Sequence, residues 1–333
     1  MNFPIVSQAL IYKSYGKPHD VLELGSNTIE ELAPNEVLLK TLAAPINPAD
    51  MGKLGGSYGS LEELPAVGGL EGVAEIVAVG SYCKSWKIGD RVFIPDGLGS
   101  WQSYAAVHSS KLFKAPQDLS LEQAAMAWVN PATAWKLLHD FADLKPGDWI
   151  IQNAATSAVG KLVIQIAKAK EIKTINLIRD AKRSEQLKSL GADIVLEDNK
   201  DAAKEVLAQL GSPIAKLALN SVGAVSSYSM IKALADHSSL VTFGAMDREL
   251  APFPTRYLIF NDIRLRGFWV SKFYKETSRE TIEELHDKLY SFMSEHKISV
   301  EVGQSYSLSQ FRDAIAHANK TGKTGKVLFK PNL

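Results

Sequence analysis

The stretch 149–160 has the residue types of a phosphate-binding turn. A short apolar run leads through small residues into the amphipathic segment 162–167. This order predicts a strand, a tight turn and a helix, in which small side chains let a pyrophosphate approach the backbone at the helix N-terminus. Against the pattern G-x-G-x-x-G the chain has Ala155, Ser157 and Gly160, so only the last glycine is present. Alone, the turn fits a dinucleotide site and an ordinary turn of another parallel sheet equally well.

Basic residues follow the next predicted strand. This apolar stretch ends at Arg179, about 20 residues after the turn, where the second strand of a dinucleotide-binding unit meets the adenosine ribose. A guanidinium there favours a 2′-phosphate, whereas a carboxylate would favour the free 2′-hydroxyl. Lys182 and Arg183 add positive charge, while Asp180 weakens the distinction. The pattern favours NADPH over NADH, with a solvated strand-end arginine as the alternative interpretation.

Composition limits the classes of function. A chain of 333 residues with 46% hydrophobic residues is long enough for two domains with separate cores. The 37 basic residues equal the 37 acidic residues in number, so nothing indicates a nucleic-acid partner. Cys83 is the single cysteine, which excludes internal disulfides and a zinc site built from several cysteines.

The N-terminal residues give a prediction of location. Residues 1–10 lack the basic region and long apolar core of a signal peptide, and they are not arginine-rich like a transit peptide. No apolar run approaches the length of a membrane span. By elimination, we expect a cytoplasmic protein without a membrane partner.

The elements that must position the turn fall into two classes. Residues 1 to 120 contain short alternating or apolar runs separated by turn residues, which predicts a β-rich, barrel-like domain interrupted by a long segment at 47–69. From Ser120 onward, helical stretches alternate with apolar runs, which predicts an α/β fold with a doubly wound parallel sheet. The predicted strands of this sheet are 149–153, 173–178, 193–196, 215–220, 239–243 and 263–269.

Several short motifs resemble the medium-chain dehydrogenase/reductase superfamily. They are the stretches 47–50, 68–72, 78–80 and 87–92. The resemblance implies a GroES-like β-barrel catalytic domain and a Rossmann domain, to which we assign 121–270. The C-terminal part of such chains returns to the catalytic domain, so we assign 1–120 together with 271–333 to it.

The resemblance also implies a branch of the superfamily that works without zinc. Zinc alcohol dehydrogenases carry a histidine where Leu70 stands here and a cysteine near Ala49. Neither leucine nor alanine can bind zinc. We therefore expect no metal, and an amino-acid side chain must supply the acid for the reaction.

A closer similarity is to the 2-enoyl thioester reductases of the mitochondrial type. The matching stretches are 56–59, 63–69, 97–101, 129–134, 152–154, 174–180, 217–223 and 265–269. This resemblance implies NADPH-dependent reduction of the conjugated carbon–carbon double bond of an enoyl-CoA or enoyl-acyl-carrier-protein. It implies Tyr58 as the catalytic acid, because a phenolic hydroxyl is neutral at physiological pH and can donate. A tyrosine packed on the surface is the alternative interpretation of the same residue.

The resemblance also implies a set of cofactor contacts. They are Asn130, Thr156, Ser157, Ala158, Val159, Arg179, Asp180, Phe243, Gly244, Ala245, Met246, Phe268, Trp269, Val270 and Lys326. Asn130 also has the character of a helix N-cap, and aromatic residues at a strand end are common in a core. The family often has a second arginine where Ala181 stands here, a role that Lys182 or Arg183 could take.

Two other functions fit the same features. A quinone or general enone reductase shares the zinc-free scaffold and a similar tyrosine, and a cofactor-binding module with little turnover would share the fold. We expect a small acyl thioester or enone as substrate and an acyl carrier protein as a possible partner. By resemblance we also expect a homodimer, formed through the predicted edge strand 263–270.

Overall fold

The computed structural model describes residues 2–247, 249, 251 and 254–331. Its strands are β1 (Ile5–Tyr12), β2 (Leu22–Ile29), β3 (Glu36–Pro45), β4 (Ala66–Val67), β5 (Val73–Val79), β6 (Arg91–Phe93), β7 (Tyr104–His108), β8 (Trp149–Gln152), β9 (Lys173–Ile178), β10 (Ile194–Glu197), β11 (Ala215–Asn220), β12 (Leu234–Thr242), β13 (Arg264–Gly267), β14 (Val302–Tyr306) and β15 (Lys326–Phe329). Its helices are α1 (Pro18–Val21), α2 (Pro48–Leu54), α3 (Leu121–Ala125), α4 (Asn130–His139), α5 (Ala158–Ala169), α6 (Ser184–Leu190), α7 (Ala202–Leu210), α8 (Ala224–Lys232), α9 (Thr255–Phe260), α10 (Val270–Glu276), α11 (Arg279–Glu295) and α12 (Phe311–Asn319).

The chain divides into two compact units. The first comprises Met1–Val129 and Val300–Leu333, and the second comprises Asn130–Ser299. The predicted boundaries lay after residues 120 and 270, so they differ from this division at both crossings between the units.

Side-chain contacts explain the difference. The amide of Gln123, just after residue 120, exchanges two hydrogen bonds with the backbone of Val300, at 2.7 and 3.0 Å, within the first unit. On the C-terminal side, the ring of Phe292 in α11 packs edge-on against Trp135 in α4, with 5.1 Å between centroids. This contact attaches the segment 271–299 to the second unit.

The first unit is built mainly from antiparallel strands. One sheet has the order β14-β15-β3-β5-β6 with β7 paired to β3, and another has the order β2-β1-β4. Trp101 is fully buried in the core, where its ring meets Phe329 edge-on at 5.2 Å. The backbone at Gly68 passes so close that an added Cβ would lie 2.5 Å from the Trp101 ring. Only glycine fits that position, which fixes the end of the segment 55–69.

The second unit contains a parallel sheet with the order β10-β9-β8-β11-β12-β13. Each neighbouring pair of these strands is parallel. Leu217, Ala218 and Leu219 in β11 are all fully buried, as expected for a strand with helices on both faces. The six predicted strands are confirmed, with ends that shift by a few residues. Among the described residues, no helix is long and apolar enough to cross a membrane.

Candidate functional site

The topological switch point of the parallel sheet lies between β8 and β11, where the strand order reverses direction. Asn153 and Asn220 stand at the carboxyl ends of these strands and are buried. The Nδ2 of Asn153 donates to Asn220 Oδ1 at 2.7 Å and to Ser226 Oγ at 2.9 Å. Its Oδ1 accepts the backbone N–H of Ser221 at 2.7 Å. This network fixes the edge of the sheet at which dinucleotides bind in such folds.

The turn after β8 is tight and leads directly into the N-terminus of α5. Ala154 has a φ of 46°, in the left-handed region. A Cβ added to Gly160 would lie 2.7 Å from the Cα and carbonyl oxygen of Ala155, so only glycine fits where α5 packs on the turn. Ser157 caps α5, and its Oγ accepts the Gly160 N–H at 3.1 Å. Thr156, Ser157, Ala158 and Val159 are all half-buried.

The adenosine end of the turn carries opposite charges. Arg179 is exposed directly after β9. Asp180 is also exposed, but its carboxylate accepts the Lys182 N–H at 3.1 Å and thereby caps the short turn that follows. Asp198, after β10, is more enclosed, so burial raises its pKa while Ser226 and Arg179 act in the opposite direction. The Arg179 guanidinium is therefore exposed to solvent at this end of the turn, as is the Lys182 side chain.

The remaining predicted contacts of the second unit lie after β12 and β13. Phe243 and Gly244 are half-buried, whereas Ala245 and Met246 are exposed. A Cβ on Gly244 would lie 2.8 Å from the Ser221 carbonyl oxygen, so this glycine brings the two strand ends together.

The aromatic residues after β13 have a structural role as well. Phe268 packs edge-on against Phe141, with 5.7 Å between ring centroids. Trp269 is the N-cap residue of α10, and Val270 is buried in its first turn. Both rings are half-buried, so Phe268 makes an aromatic contact without belonging to the buried core.

Asn130 begins α4, and its Nδ2 is buried with no hydrogen-bond partner among the described residues. An unsatisfied buried donor costs about 1–3 kcal/mol, so such a group usually has a ligand or water as its partner. The orphan amide, the tight turn at Gly160 and the exposed Arg179 together fit a dinucleotide with a 2′-phosphate.

Tyr58 lies in the first unit, in the segment between α2 and β4. It is half-buried, and its ring covers Gly52 of α2, where an added Cβ would lie 3.3 Å from Tyr58 Cδ2. The capping box of Asn47 and Asp50 starts α2. Tyr58 therefore lies outside α2 but packs its ring against that helix.

A buried polar network that sequence reasoning did not identify lies beside α2. Lys326 donates its ammonium to Asn47 Oδ1, and Asn47 Nδ2 donates to Glu71 Oε1 at 2.7 Å. The second oxygen of Glu71 accepts the Val129 N–H at 2.9 Å. In the capping box that begins α2, the Asp50 carboxylate accepts the Asn47 N–H at 2.6 Å. Lys326 was predicted as a cofactor contact, and that role stays a prediction.

Burial dominates the acid–base behaviour of this network. It raises the pKa of Asp50 to about 6 and that of Glu71 to about 7, although backbone N–H donors and Lys326 favour the ionised forms. It lowers the pKa of Lys326 to about 8, against the attraction of Glu71 and Asp50. The Lys326 ammonium thus attracts both buried carboxyls, and Lys53 adds a weaker attraction to Asp50. Asn47, Asp50 and Glu71 lie in the motifs 47–50 and 68–72, but nothing in the sequence indicated that Lys326 lies beside them.

The position of the missing zinc ligand is filled by packing. Leu70 is 5% exposed, and its backbone N–H donates to Asp50 Oδ1 at 2.8 Å. Among the described residues, no group of three or more His, Cys, Asp or Glu side chains could hold a metal ion.

Comparisons with known proteins place these features in a family. Residues 33–117 match the alcohol dehydrogenase GroES-like domain, and residues 158–288 match the family described as zinc-binding dehydrogenase. The chain is 39% identical over 325 residues to the mitochondrial enoyl-acyl-carrier-protein reductase of Homo sapiens, covering 95% of this chain and 87% of the relative. The chain belongs to the enoyl reductase family of the medium-chain dehydrogenases/reductases. The predicted fold class and family resemblance are confirmed.

Solved structures agree with this assignment. The structure of Etr1p with NADP and crotonyl-CoA has a TM-score of 0.88 and 31% identity, covering 98% of this chain and 100% of that one. The same enzyme forms an Etr1p/Etr2p heterodimer in Candida tropicalis, described as a mitochondrial 2-enoyl thioester reductase, with 32% identity and a TM-score of 0.87 over the same coverage. A protein described as a putative NADPH:quinone reductase from Bacillus thuringiensis has a TM-score of 0.90 at 25% identity, covering 98% and 99%.

One prediction is wrong. We expected a cytoplasmic protein because residues 1–10 lack a recognisable targeting pattern, but the relatives of this chain are named mitochondrial enzymes. Elimination on ten residues was too weak a basis for a location.

Proposed function

We propose that this enzyme uses NADPH to reduce the conjugated double bond of a trans-2-enoyl thioester, with Tyr58 as the proton donor. The observation that carries the proposal is the likeness, over 98% of the chain, to an enzyme solved with NADP and crotonyl-CoA. When bound, NADPH supplies the hydride for the β-carbon. The protein must then orient the acyl chain, stabilise the enolate that forms, and protonate it at the α-carbon.

The second unit would hold the cofactor. The N-terminus of α5 and the small residues 156–159 accept the pyrophosphate, because a helix N-terminus attracts negative charge. Arg179 pairs with the 2′-phosphate, which selects NADPH over NADH. The unsatisfied Nδ2 of Asn130 donates to the carboxamide of the cofactor or to the thioester oxygen. The aromatic pair Phe268 and Trp269 bounds the same edge of the sheet.

Tyr58 would act as the acid because a neutral hydroxyl can donate at physiological pH. The Tyr58 ring packs against Gly52 of α2, while the residue stays half-buried. The substitution Tyr58→Phe keeps the ring and removes the hydroxyl. General acid catalysis contributes about 10²–10⁴-fold, so kcat on an enoyl-CoA should fall by that factor while NADPH affinity stays near wild type.

A quinone or enone reductase is the second candidate, supported by the TM-score of 0.90 with the Bacillus thuringiensis protein. A quinone accepts a hydride with less need for one particular proton donor, so Tyr58→Phe should lower its turnover much less. Measuring kcat of wild type and Tyr58→Phe with both substrate classes tests the proposal. An enoyl-CoA kcat within twofold of wild type would remove Tyr58 as the acid.

We also infer a homodimer. Strand β13 ends the order of the parallel sheet, and all of its residues are exposed. Nearby in the sequence, Ile259 and Phe260 of α9 are 71% and 76% exposed. An exposed apolar surface beside a strand edge that has no partner in the described part of the chain favours pairing with a second copy. The Etr1p/Etr2p heterodimer supports this inference, and the names of the relatives support an acyl carrier protein as the carrier of the enoyl substrate.

A further inference from the structure

An ion pair closes the segment that carries Tyr58. Lys53, the last but one residue of α2, pairs with Glu62, which stands four residues after Tyr58 and shortly before β4. The ammonium also lies 3.2 Å from Asp96 Oδ1. The Lys53 side chain is only 9% exposed, whereas Glu62 and Asp96 are 26% and 55% exposed. The ion pair therefore connects the C-terminal end of α2 to Glu62, one on each side of Tyr58 in the chain, through a mostly buried ammonium.

The charge on Lys53 is secure. Burial lowers its pKa, but hydrogen bonds and attraction to Glu62 and Asp96 outweigh burial, so the net direction is upward from 10.5. The ammonium stays protonated at physiological pH, and the ion pair persists there. A charge-assisted contact of this kind, shielded from water on one side, is stronger than a fully exposed pair.

Further contacts hold the same segment from the outside. The Tyr15 hydroxyl donates to the Glu62 carbonyl oxygen at 2.6 Å. Gly56 has a φ of +70°, and an added Cβ would lie 3.0 Å from the Tyr15 side chain. Tyr15 thus touches both sides of Tyr58 along the chain. The ring of Tyr58 itself rests on Gly52, the residue before Lys53.

We propose that Lys53 and Glu62 form a clamp that positions the Tyr58 hydroxyl for proton transfer. The inference rests on the proposed role of Tyr58 as the acid. A proton donor on a segment free to move spends little time in the reactive geometry, and a displacement of about 1 Å is enough to cost a large factor in rate. Lys53 and Glu62 are positioning residues, since they act through the tyrosine.

The test is a double-mutant cycle with Glu62→Gln and Tyr58→Phe. Glutamine keeps the shape of the side chain and removes the charge, and Glu62 is close enough to solvent for the variant to fold. We expect Glu62→Gln to lower kcat on crotonyl-CoA by about five- to twentyfold in the wild-type background, with NADPH affinity unchanged. In the Tyr58→Phe background the same substitution should change kcat by less than about twofold, because the positioned hydroxyl is gone.

Two variants sharpen the cycle. Glu63→Gln changes the neighbouring exposed glutamate and should leave kcat unchanged. Lys53→Met removes the cation shared by Glu62 and Asp96 and should lower kcat at least as much as Glu62→Gln. Hydrogen exchange of residues 55–65 should become faster in both clamp variants and not in Glu63→Gln.

The outcomes separate this inference from the proposed function. An equal loss of kcat in the wild-type and Tyr58→Phe backgrounds would mean that Glu62 acts independently of Tyr58, which overturns the clamp. An unchanged kcat in Glu62→Gln overturns it as well, while leaving Tyr58 as the acid. If Tyr58→Phe alone has no effect, the acid itself is misassigned and the clamp falls with it.

Discussion

Removing the ammonium of Lys326 should destabilise the protein in a pH-dependent way. The side chain is 7% exposed and is bonded to Asn47, with Glu71 and Asp50 as the carboxyls that attract it. Methionine in its place fills a similar volume but leaves buried Glu71 without its cation and Asp50 with only the weaker attraction of Lys53. Removing one partner of a buried ion pair costs about 3–5 kcal/mol, so Lys326→Met should lower the free energy of unfolding by that amount near pH 7.5.

The pH dependence follows from the two carboxyls. Burial raises the pKa of Glu71 from 4.5 to about 7 and that of Asp50 from 3.8 to about 6. A carboxyl with a raised pKa takes up a proton on folding, so its destabilising effect is absent below the unfolded pKa and grows as the pH rises through the folded pKa. Without Lys326 both folded pKa values rise further. At pH 5 the carboxyls of the variant are therefore mostly neutral, and the loss should shrink to about 1 kcal/mol, the value of one hydrogen bond.

Urea unfolding of wild type and Lys326→Met at pH 5 and pH 7.5 measures both values. Lys330→Met is the matched control, because Lys330, directly after β15, pairs with Glu122 nearer the surface, where about 0–1 kcal/mol is expected at either pH. A loss below 1 kcal/mol at pH 7.5, or an equal loss at both pH values, would refute the electrostatic account of this network.

Three further predictions concern the cofactor, the metal and the assembly. Arg179→Ala should weaken NADPH binding by about 1.5 kcal/mol and NADH binding much less, as measured by titration calorimetry, and equal losses would remove Arg179 from the 2′-phosphate. Prolonged chelation should leave activity unchanged because Leu70 cannot bind zinc, whereas stoichiometric zinc in active protein would contradict this. Sedimentation at micromolar concentration should give a dimer that Phe260→Lys shifts toward the monomer, and a fully active monomeric wild type would exclude the interface.

Most of the second unit could be predicted from local sequence patterns. The apolar runs, the small residues before Gly160 and the basic residue after β9 specify strand, turn and helix through contacts within about 30 residues, the span of one βαβ unit. The C-terminal end of the second compact unit was harder to predict. Phe292 joins this unit by packing on Trp135, a contact that no sequence periodicity indicates. Ser120 caps α3, whereas the side chain of Gln123 bonds to the backbone of Val300, 177 residues away.

The candidate site was predicted unevenly for the same reason. Arg179 and the turn could be read from spacing, whereas Tyr58 depended on resemblance, since a loop tyrosine has no local signature. The buried network joins Asn47 to Lys326, which are 279 residues apart in the chain. Its members were visible as motif residues, but the meeting of one cation with two carboxyls follows only from the pairing of β15 with β3.

The most direct test of the proposed function compares substrates. NADPH oxidation by the wild-type enzyme is followed with crotonyl-CoA and with a quinone at matched concentrations, and the acyl product is identified by mass spectrometry. Crotonyl-CoA should be turned over faster by a wide margin and recovered as the saturated butyryl-CoA, with one NADPH consumed per product. Faster turnover of the quinone by a wide margin, with crotonyl-CoA recovered unchanged, would contradict the proposed function.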